Sequence, residues 1–259
     1  MHHPVFIGGC ERSGTTLLRV ILDTHSNIHC GPEAKIIAKT VPGWINQRRN
    51  NTQLLREYYN FSDEKIDGLY RNIILTAISG NCDITKQWVA EKSPQNVFYY
   101  HQIRTLFPRS LIVNVIRDGR DVVTSLLEMD WKHPQGKPLE FTVDIKSACE
   151  RWLAATGAAI EFSAGANAQP WLQIRYEDLV TRPRQEITRL LDILGEPWED
   201  DLLDFHRQTR DLGNESSADS VRKSISADRI GRWKAFSEND ISILNNHLGS
   251  RLHALGYEV

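Results

Sequence analysis

A short apolar run, a glycine-containing turn and a second apolar run stand at the start of the chain, and they constrain the fold more than any other segment. Residues 6–22 read FIGGCERSGTTLLRVIL, which predicts a buried strand, a polar turn and a helix. Glycines let a main chain approach an anion closely, and the start of a helix offers unpaired N–H groups. The segment therefore predicts a loop that binds phosphate or a similar anion.

The side chains of this turn narrow the class of anion. Gly9 and Gly14 have the spacing of a phosphate loop, but Thr15 stands where nucleoside triphosphate enzymes carry a lysine. The cation of the turn is Arg12 instead. Because that lysine normally reaches the β- and γ-phosphates, its absence argues against MgATP chemistry. An atypical P-loop kinase or NTPase remains the alternative from another class, and a nucleotide-binding module without activity is a third.

Composition indicates one globular domain over residues 1–259. Hydrophobic residues make up 41% and charged residues 25%, and the formal net charge is −2 at pH 7. No global basic field is present to bind nucleic acid, so an anion site needs locally gathered cations. No run approaches the roughly 18 apolar residues of a membrane span, and the N-terminus has no secretory pattern. We expect a cytoplasmic protein without membrane or nucleic-acid partners.

The cysteines show neither CxxC pairing nor metal-like spacing with histidine, which suits a reducing compartment. We therefore expect free thiols and no metal site. A homodimer is compatible with the sequence, which does not fix the oligomeric state. The four cysteines are Cys10, Cys30, Cys82 and Cys149.

Strands alternate with helices along the chain. This alternation predicts the α/β class, as a single P-loop-like domain with a central parallel sheet flanked by helices on both faces. Such a sheet binds its ligand at the carboxyl ends of its strands. The predicted strands cover residues 5–8, 28–30, 88–91, 111–116 and 171–175, and the main predicted helices cover 15–23, 33–41, 62–77, 96–107, 142–163, 184–194 and 237–255.

Cations and hydroxyls gather at several of the predicted strand ends. Arg12 lies in the first turn, and Arg117 follows the strand LIVNVI with Ser125 two helical turns later. These two clusters predict a nucleotide that carries phosphates at both ends of its ribose.

Four segments together resemble sulfotransferases that use 3′-phosphoadenosine 5′-phosphosulfate (PAPS). Within that superfamily the chain is most similar to tyrosylprotein sulfotransferases. The resemblance extends from about residue 5 to residue 256, and it weakens over residues 43–86 and 130–142. The segments are CERSGTTLLRVIL, VIRDGRDVVTSLL, RYEDLV and RIGRWK, and the narrower likeness adds FIGG at 6–9, DTH at 23–25, CGPE at 30–33 and KSP at 92–94.

The resemblance implies a donor site for PAPS, with PAP as the product. Arg12 would hold the sulfuryl and bridging oxygens, and Lys92 and Ser224 would assist the leaving phosphate. The 5′-phosphate would lie on the first turn and the 3′-phosphate beside the second cluster. The implied donor-binding residues are Arg12, Ser13, Gly14, Thr15 and Thr16 in the turn, and Arg117, Ser125, Tyr176 and Arg232 elsewhere.

Glu33 falls on the catalytic base of the family, while His25 and His29 remain alternatives for that role. Lys35 and Lys39 match acceptor-contacting positions where the family has arginine. An arginine-to-lysine exchange keeps the charge but loses bidentate carboxylate recognition, which leaves peptide specificity open.

The resemblance and the residues together predict an enzyme of the EC 2.8.2 type. It would move a sulfuryl group to an acceptor hydroxyl by in-line transfer without a metal. The acceptor expected first is a tyrosine of a peptide or protein. Positioned cations matter more than covalent catalysis in such a loose transfer, by analogy with phosphoryl transfer. A small phenol, sugar or lipid hydroxyl is the alternative acceptor.

Overall fold

Five parallel strands form the centre of the structure. The computed structural model describes residues 4–80, 82–83, 85–165, 170–208 and 217–259. The sheet has the order β2-β3-β1-β4-β5, and Val5 of the central strand lies between Ala90 and Leu111 of its neighbours. The strands are β1 (Val5–Gly9), β2 (Ile28–Cys30), β3 (Trp88–Lys92), β4 (Leu111–Ile116) and β5 (Trp171–Arg175).

Helices cover both faces of this sheet. Phe6 of β1 packs into one hydrophobic cluster, whereas Val5 and Ile7 pack into the other. Successive residues of a strand point to opposite faces, so every side chain of the central strand is buried. The predicted α/β fold is therefore confirmed. The helices are α1 (Thr15–Thr24), α2 (Ile36–Arg49), α3 (Gln53–Glu57), α4 (Asp63–Ile78), α5 (Tyr100–Leu106), α6 (Gly119–Leu127), α7 (Ile145–Ala164), α8 (Tyr176–Thr181), α9 (Pro183–Leu194), α10 (Ala218–Val221) and α11 (Glu238–Ala254).

The helix predicted over residues 33–41 begins later and ends later than expected. Lys35 has a left-handed backbone, with φ of 54°, so Glu33 precedes the helix in an irregular segment. α2 then continues through Pro42, because Trp44 beyond the proline is buried in the core and holds the last turns in place.

The apolar residues of α4 are only partly buried. Ser62 caps this helix as predicted, because its side chain accepts a hydrogen bond from the N–H of Lys65. Ile66 and Ile74 are fully buried, but Leu69 and Ile73 are 51% and 48% exposed. The helix packs mainly on α2, so one narrow stripe of side chains reaches the core.

Three short helices, α3, α8 and α10, were not predicted. Each has four to six residues, a length at which local propensity is weak and packing decides. All four cysteines are free thiols, as predicted. Within the described residues, no helix has the length and apolar character that a membrane span requires. The cytoplasmic location and the lack of a nucleic-acid partner stay predictions.

Candidate functional site

One cleft of about 930 Å³ opens at the carboxyl ends of the central strands. It contains most of the predicted site residues. Ser13, Lys39 and Lys92 are the predicted residues that do not line it. Those that do are Arg12, Gly14, Thr15, Thr16, Glu33, Lys35, Arg117, Ser125, Tyr176, Ser224 and Arg232.

The turn between β1 and α1 forms the floor of this cleft. Gly14 starts α1 with φ of 97°, and a Cβ atom there would lie 2.5 Å from the ring of Tyr176, so only glycine fits. Ser13 is buried, and its Oγ has no hydrogen-bond partner among the described residues. Ser13 lines a small separate cavity with Asn114 and Trp152, so the turn offers an anion in the cleft the first N–H groups of α1 and the hydroxyls of Thr15 and Thr16.

Arg12 joins the turn to the far side of the cleft. Its Nε donates to Ser125 Oγ at 3.0 Å, and its Nη1 donates to Ser217 Oγ at 2.9 Å. Burial, followed by the charges of Arg229 and Arg117, lowers the pKa of Arg12 to about 10. The guanidinium stays charged at neutral pH, and the surrounding cations give the cleft a positive potential that attracts an anion.

Arg117 is buried at the end of β4 and held from several directions. Its Nη1 donates to the carbonyl of Arg12 at 3.2 Å, its Nη2 donates to the carbonyl of Arg229, and its guanidinium lies 4.4 Å from the ring centre of Tyr176. The remaining donor, Nε, is buried and has no hydrogen-bond partner among the described residues. Because Arg117 lines the cleft, this unpaired donor suits an anionic ligand.

Lys92 lies beneath the cleft and connects the turn to Glu33. Its side chain is fully buried, and Nζ lies 3.3 Å from Thr16 Oγ1 and 3.2 Å from Glu33 Oε2. Lys35 Nζ approaches the other carboxylate oxygen of Glu33 at 3.4 Å. Lys39, by contrast, donates to the carbonyl of Ala34 at 3.3 Å. The carboxylate of Glu33 therefore lies between two ammonium groups.

A buried network fixes the backbone beside Glu33. The N–H of Lys35 donates to Ser93 Oγ at 3.0 Å, and that hydroxyl donates to Glu91 Oε1 at 2.5 Å. Asn96 Nδ2 donates to the other oxygen of Glu91 at 2.5 Å. Burial raises the pKa of Glu91. This network holds the left-handed turn at Lys35, which aims Glu33 into the cleft.

Neither histidine that the sequence offered as an alternative base lines the cleft. His25 is buried, with Nε2 2.9 Å from the carbonyl of Pro197 and Nδ1 accepting from the N–H of Asn27 at 3.1 Å. His29 lies 3.8 Å from Asp23, and burial lowers the pKa of the imidazole. Both rings brace the segment between α1 and β2.

Sequence reasoning missed several residues that line the cleft. Arg229, the first letter of RIGRWK, contributes its carbonyl to Arg117 and its charge to Arg12. Glu128 pairs with Arg232, and this hydrogen bond lowers the pKa of Glu128. The motif RIGRWK signalled the arginine, but no sequence pattern signalled the carboxylate.

The hairpin segment between α6 and α7 also lines the cleft, with Trp131, Leu139 and Phe141. Its letters read as an ordinary Pro/Gly/Lys loop, so the sequence carried no sign of an aromatic surface. Over the described parts of the chain, no three or more His, Cys, Asp or Glu side chains are grouped in a way that would hold a metal ion.

Comparison with known proteins relates this arrangement to known folds. A family model described as "Sulfotransferase family" matches residues 4–200. Protein-tyrosine sulfotransferase A of Caenorhabditis elegans is 28% identical over 262 residues, which cover 98% of this chain and 67% of that protein. The sulfotransferase domain from the curacin biosynthetic pathway superposes with a TM-score of 0.71 at 21% identity, over 100% of this chain and 99% of that one. Mouse sulfotransferase SULT7A1 complexed with PAP gives a TM-score of 0.55 at 11% identity, over 96% and 84% of the two chains.

Proposed function

The chain belongs to the sulfotransferase family, and on that premise we propose that it moves a sulfuryl group from PAPS to the hydroxyl of a tyrosine in a peptide or protein. The predicted enzyme class is confirmed, as is the predicted resemblance to tyrosylprotein sulfotransferases.

PAPS as the donor is supported by the chemistry of the cleft. Arg12 and Arg117 line the cleft, and the buried Nε of Arg117 has no hydrogen-bond partner among the described residues. The first turn of α1 adds N–H groups and the hydroxyls of Thr15 and Thr16. The solved mouse sulfotransferase that shares this fold was complexed with PAP, the product of such a donor.

The transfer needs positive charge where the leaving group becomes negative. The acceptor oxygen bonds to sulfur while the bond from sulfur to the bridging oxygen breaks, and that electron pair leaves with the 3′,5′-bisphosphate. Arg12 at the turn and buried Lys92 below it supply fixed cations at this end of the cleft. Preorganised charges of this kind stabilise a loose in-line transition state. No metal ion enters the proposed mechanism.

Glu33 accepts the proton that the acceptor hydroxyl loses. Its carboxylate lines the cleft and is held by Lys92 at 3.2 Å and Lys35 at 3.4 Å. Because Lys92 also contacts Thr16 of the turn, one buried ammonium joins the base to the donor site. This connection aligns the base with the transferring group.

The observation that carries the proposal is that one cleft contains both anion-binding segments and Glu33. Thermal shift tests the donor. We expect 3′,5′-adenosine bisphosphate to stabilise the protein without Mg²⁺. Stabilisation by MgATP alone would favour the alternative of an atypical P-loop kinase or NTPase.

Turnover with labelled donor and a tyrosine peptide tests the rest. Glu33→Gln should keep bisphosphate binding and lose sulfuryl transfer by about 10²-fold or more. Glu64→Gln, on the first turn of α4 outside the cleft, is the matched control and should keep full activity. Full activity in Glu33→Gln would exclude Glu33 as the base.

A further inference from the structure

An aromatic wall stands in the cleft at the segment between α6 and α7. Trp131, Leu139 and Phe141 line the cleft here, and the rings of Trp131 and Phe141 meet edge to face with centroids 6.3 Å apart. The wall lies in residues 130–142, where the resemblance to tyrosylprotein sulfotransferases weakens.

Backbone hydrogen bonds hold the wall as a hairpin. Lys132 and Pro138 form an antiparallel bridge, and the N–H of Leu139 donates to the carbonyl of Trp131 at 2.9 Å. The N–H of His133 donates to the carbonyl of Lys137 at 2.8 Å. The backbone of Trp131 is therefore held by the opposite arm of the hairpin.

A partly buried ion pair braces the wall against the turn between β1 and α1. The guanidinium of Arg151 lies 4.6 Å from the ring centre of Phe98 and 5.1 Å from that of Phe141. Its Nε and Nη2 donate to the carboxylate of Glu11 at 2.9 and 2.5 Å. Glu11 directly precedes Arg12, so the wall and the anion-binding turn form one connected unit.

Trp131 lies next to the atoms that the transfer requires. Its ring centre is 6.0 Å from the guanidinium carbon of Arg12. An acceptor ring packed on Trp131 would bring its hydroxyl beside Arg12, and aromatic pairs attract one another beyond their area of contact. An aliphatic alcohol gains no comparable interaction.

The two lysines expected to contact residues beside the acceptor tyrosine of a peptide already have partners within the protein. Lys35 pairs with Glu33, and Lys39 donates to a backbone carbonyl outside the cleft. Lysine also lacks the bidentate geometry that arginine offers to a carboxylate. These two lysines therefore contribute little to recognition of acidic flanks.

We propose that Trp131 forms an acceptor subsite that recognises the aromatic ring itself, so that compact phenols without peptide flanks are acceptors as well as tyrosine peptides. This inference rests on the proposed function, because it names the acceptor class of the same site. Trp131 is then the residue that sets specificity for aryl over alkyl hydroxyls.

Steady-state transfer to a tyrosine peptide, a simple phenol and cyclohexanol tests the subsite in the full chain. Trp131→Ala should raise KM about tenfold for the phenol and the peptide, as expected from the loss of an aromatic pair and its packing. The preference for phenol over cyclohexanol should fall by the same factor. Trp131→Phe should stay close to the wild type in KM for the aromatic acceptors and in the preference for phenol. The KM for PAPS should change less than about twofold in either variant.

Trp198→Ala is the matched control. The indole of Trp198 packs against Arg184 and donates a hydrogen bond to Asp200, outside the cleft. The preference for phenol over cyclohexanol should therefore stay as in the wild type. Bisphosphate binding by calorimetry shows that each variant is folded, and Trp131→Leu replaces Trp131→Ala if the latter unfolds.

Two results overturn the inference and leave sulfuryl transfer standing. One is an unchanged preference for phenol over cyclohexanol when residue 131 is alanine or leucine. The other is a wild-type enzyme that modifies tyrosine peptides and ignores simple phenols. Lack of transfer to every acceptor would instead overturn the proposed function as well.

Discussion

Arg12 donates a hydrogen bond from Nε to Ser125 Oγ across 3.0 Å, which joins two segments 113 residues apart in sequence. The two anion-binding clusters that the sequence predicted, at Arg12 and at Arg117 with Ser125, are therefore adjacent. A bisphosphorylated ligand would meet one continuous surface of donors, and a change at either residue should affect both of its ends.

Ser125→Ala should weaken binding of 3′,5′-adenosine bisphosphate about tenfold. A hydrogen bond to a charged group contributes about 1.5–3 kcal/mol, and the substitution also releases Arg12 from its fixed orientation. Isothermal titration calorimetry measures the change. Ser163→Ala, which removes a hydroxyl bonded only to its own helix at Ile160, should bind as the wild type does. Equal affinity of the two variants for the bisphosphate would show that Ser125 does not contribute to binding.

Gly14→Ala should lower the free energy of unfolding by about 2–3 kcal/mol. The added Cβ meets a left-handed backbone, with φ of 97°, and the ring of Tyr176 at 2.5 Å. Gly136→Ala separates the two causes, because Gly136 has φ of 84° and no atom within 4 Å of its Cβ position. It should cost about 1 kcal/mol. Urea denaturation gives both values, and equal losses would mean that the contact with Tyr176 is immaterial.

Glu91→Gln should change how stability depends on pH. Burial raises the pKa of Glu91, so the folded protein holds this proton at pH values where the unfolded chain has released it. The contribution of Glu91 is therefore present below about pH 4.5, the ordinary value for this group, and is lost as pH rises through the folded pKa. The variant, which cannot ionise here, should gain stability relative to the wild type as pH rises. Urea titrations at pH 4.5 and 7.5 test this, and a pH-independent difference would contradict it.

Alkylation of the native protein should label Cys82 before the other thiols. Cys10, Cys30 and Cys149 are buried, and burial raises the pKa of Cys149 to about 12, so little thiolate forms. Mass spectrometry of peptides after brief treatment with iodoacetamide identifies the labelled positions. All four should react in denaturant. Rapid native labelling of Cys149 would show that α7 opens readily.

The order of strands and helices could be predicted because it depends on local patterns. The run LIVNVI predicted β4, and its bounds agree with the structure. Ser62 and Ser237 marked helix starts through their own side chains. The face of α4 could not be placed in the same way, because the position of α2 decided which apolar residues are buried.

The site was predictable only where a motif carried it. The turn with Arg12 and the helix start with Arg117 were found because glycines and cations stand at fixed spacing there. Glu128 and Phe141 lie in segments with no such pattern, and their presence in the cleft depends on contacts with Arg232 and Arg151.

The amino-acid sequence by itself determined the parallel α/β framework and the anion-binding turn, since periodicity and glycine placement act over a few neighbouring residues. Only the tertiary structure decided that Lys92 lies between Thr16 and Glu33 and that Trp131 stands beside Arg12. Those contacts join residues far apart along the chain, and the packing of helices on the sheet sets their distances.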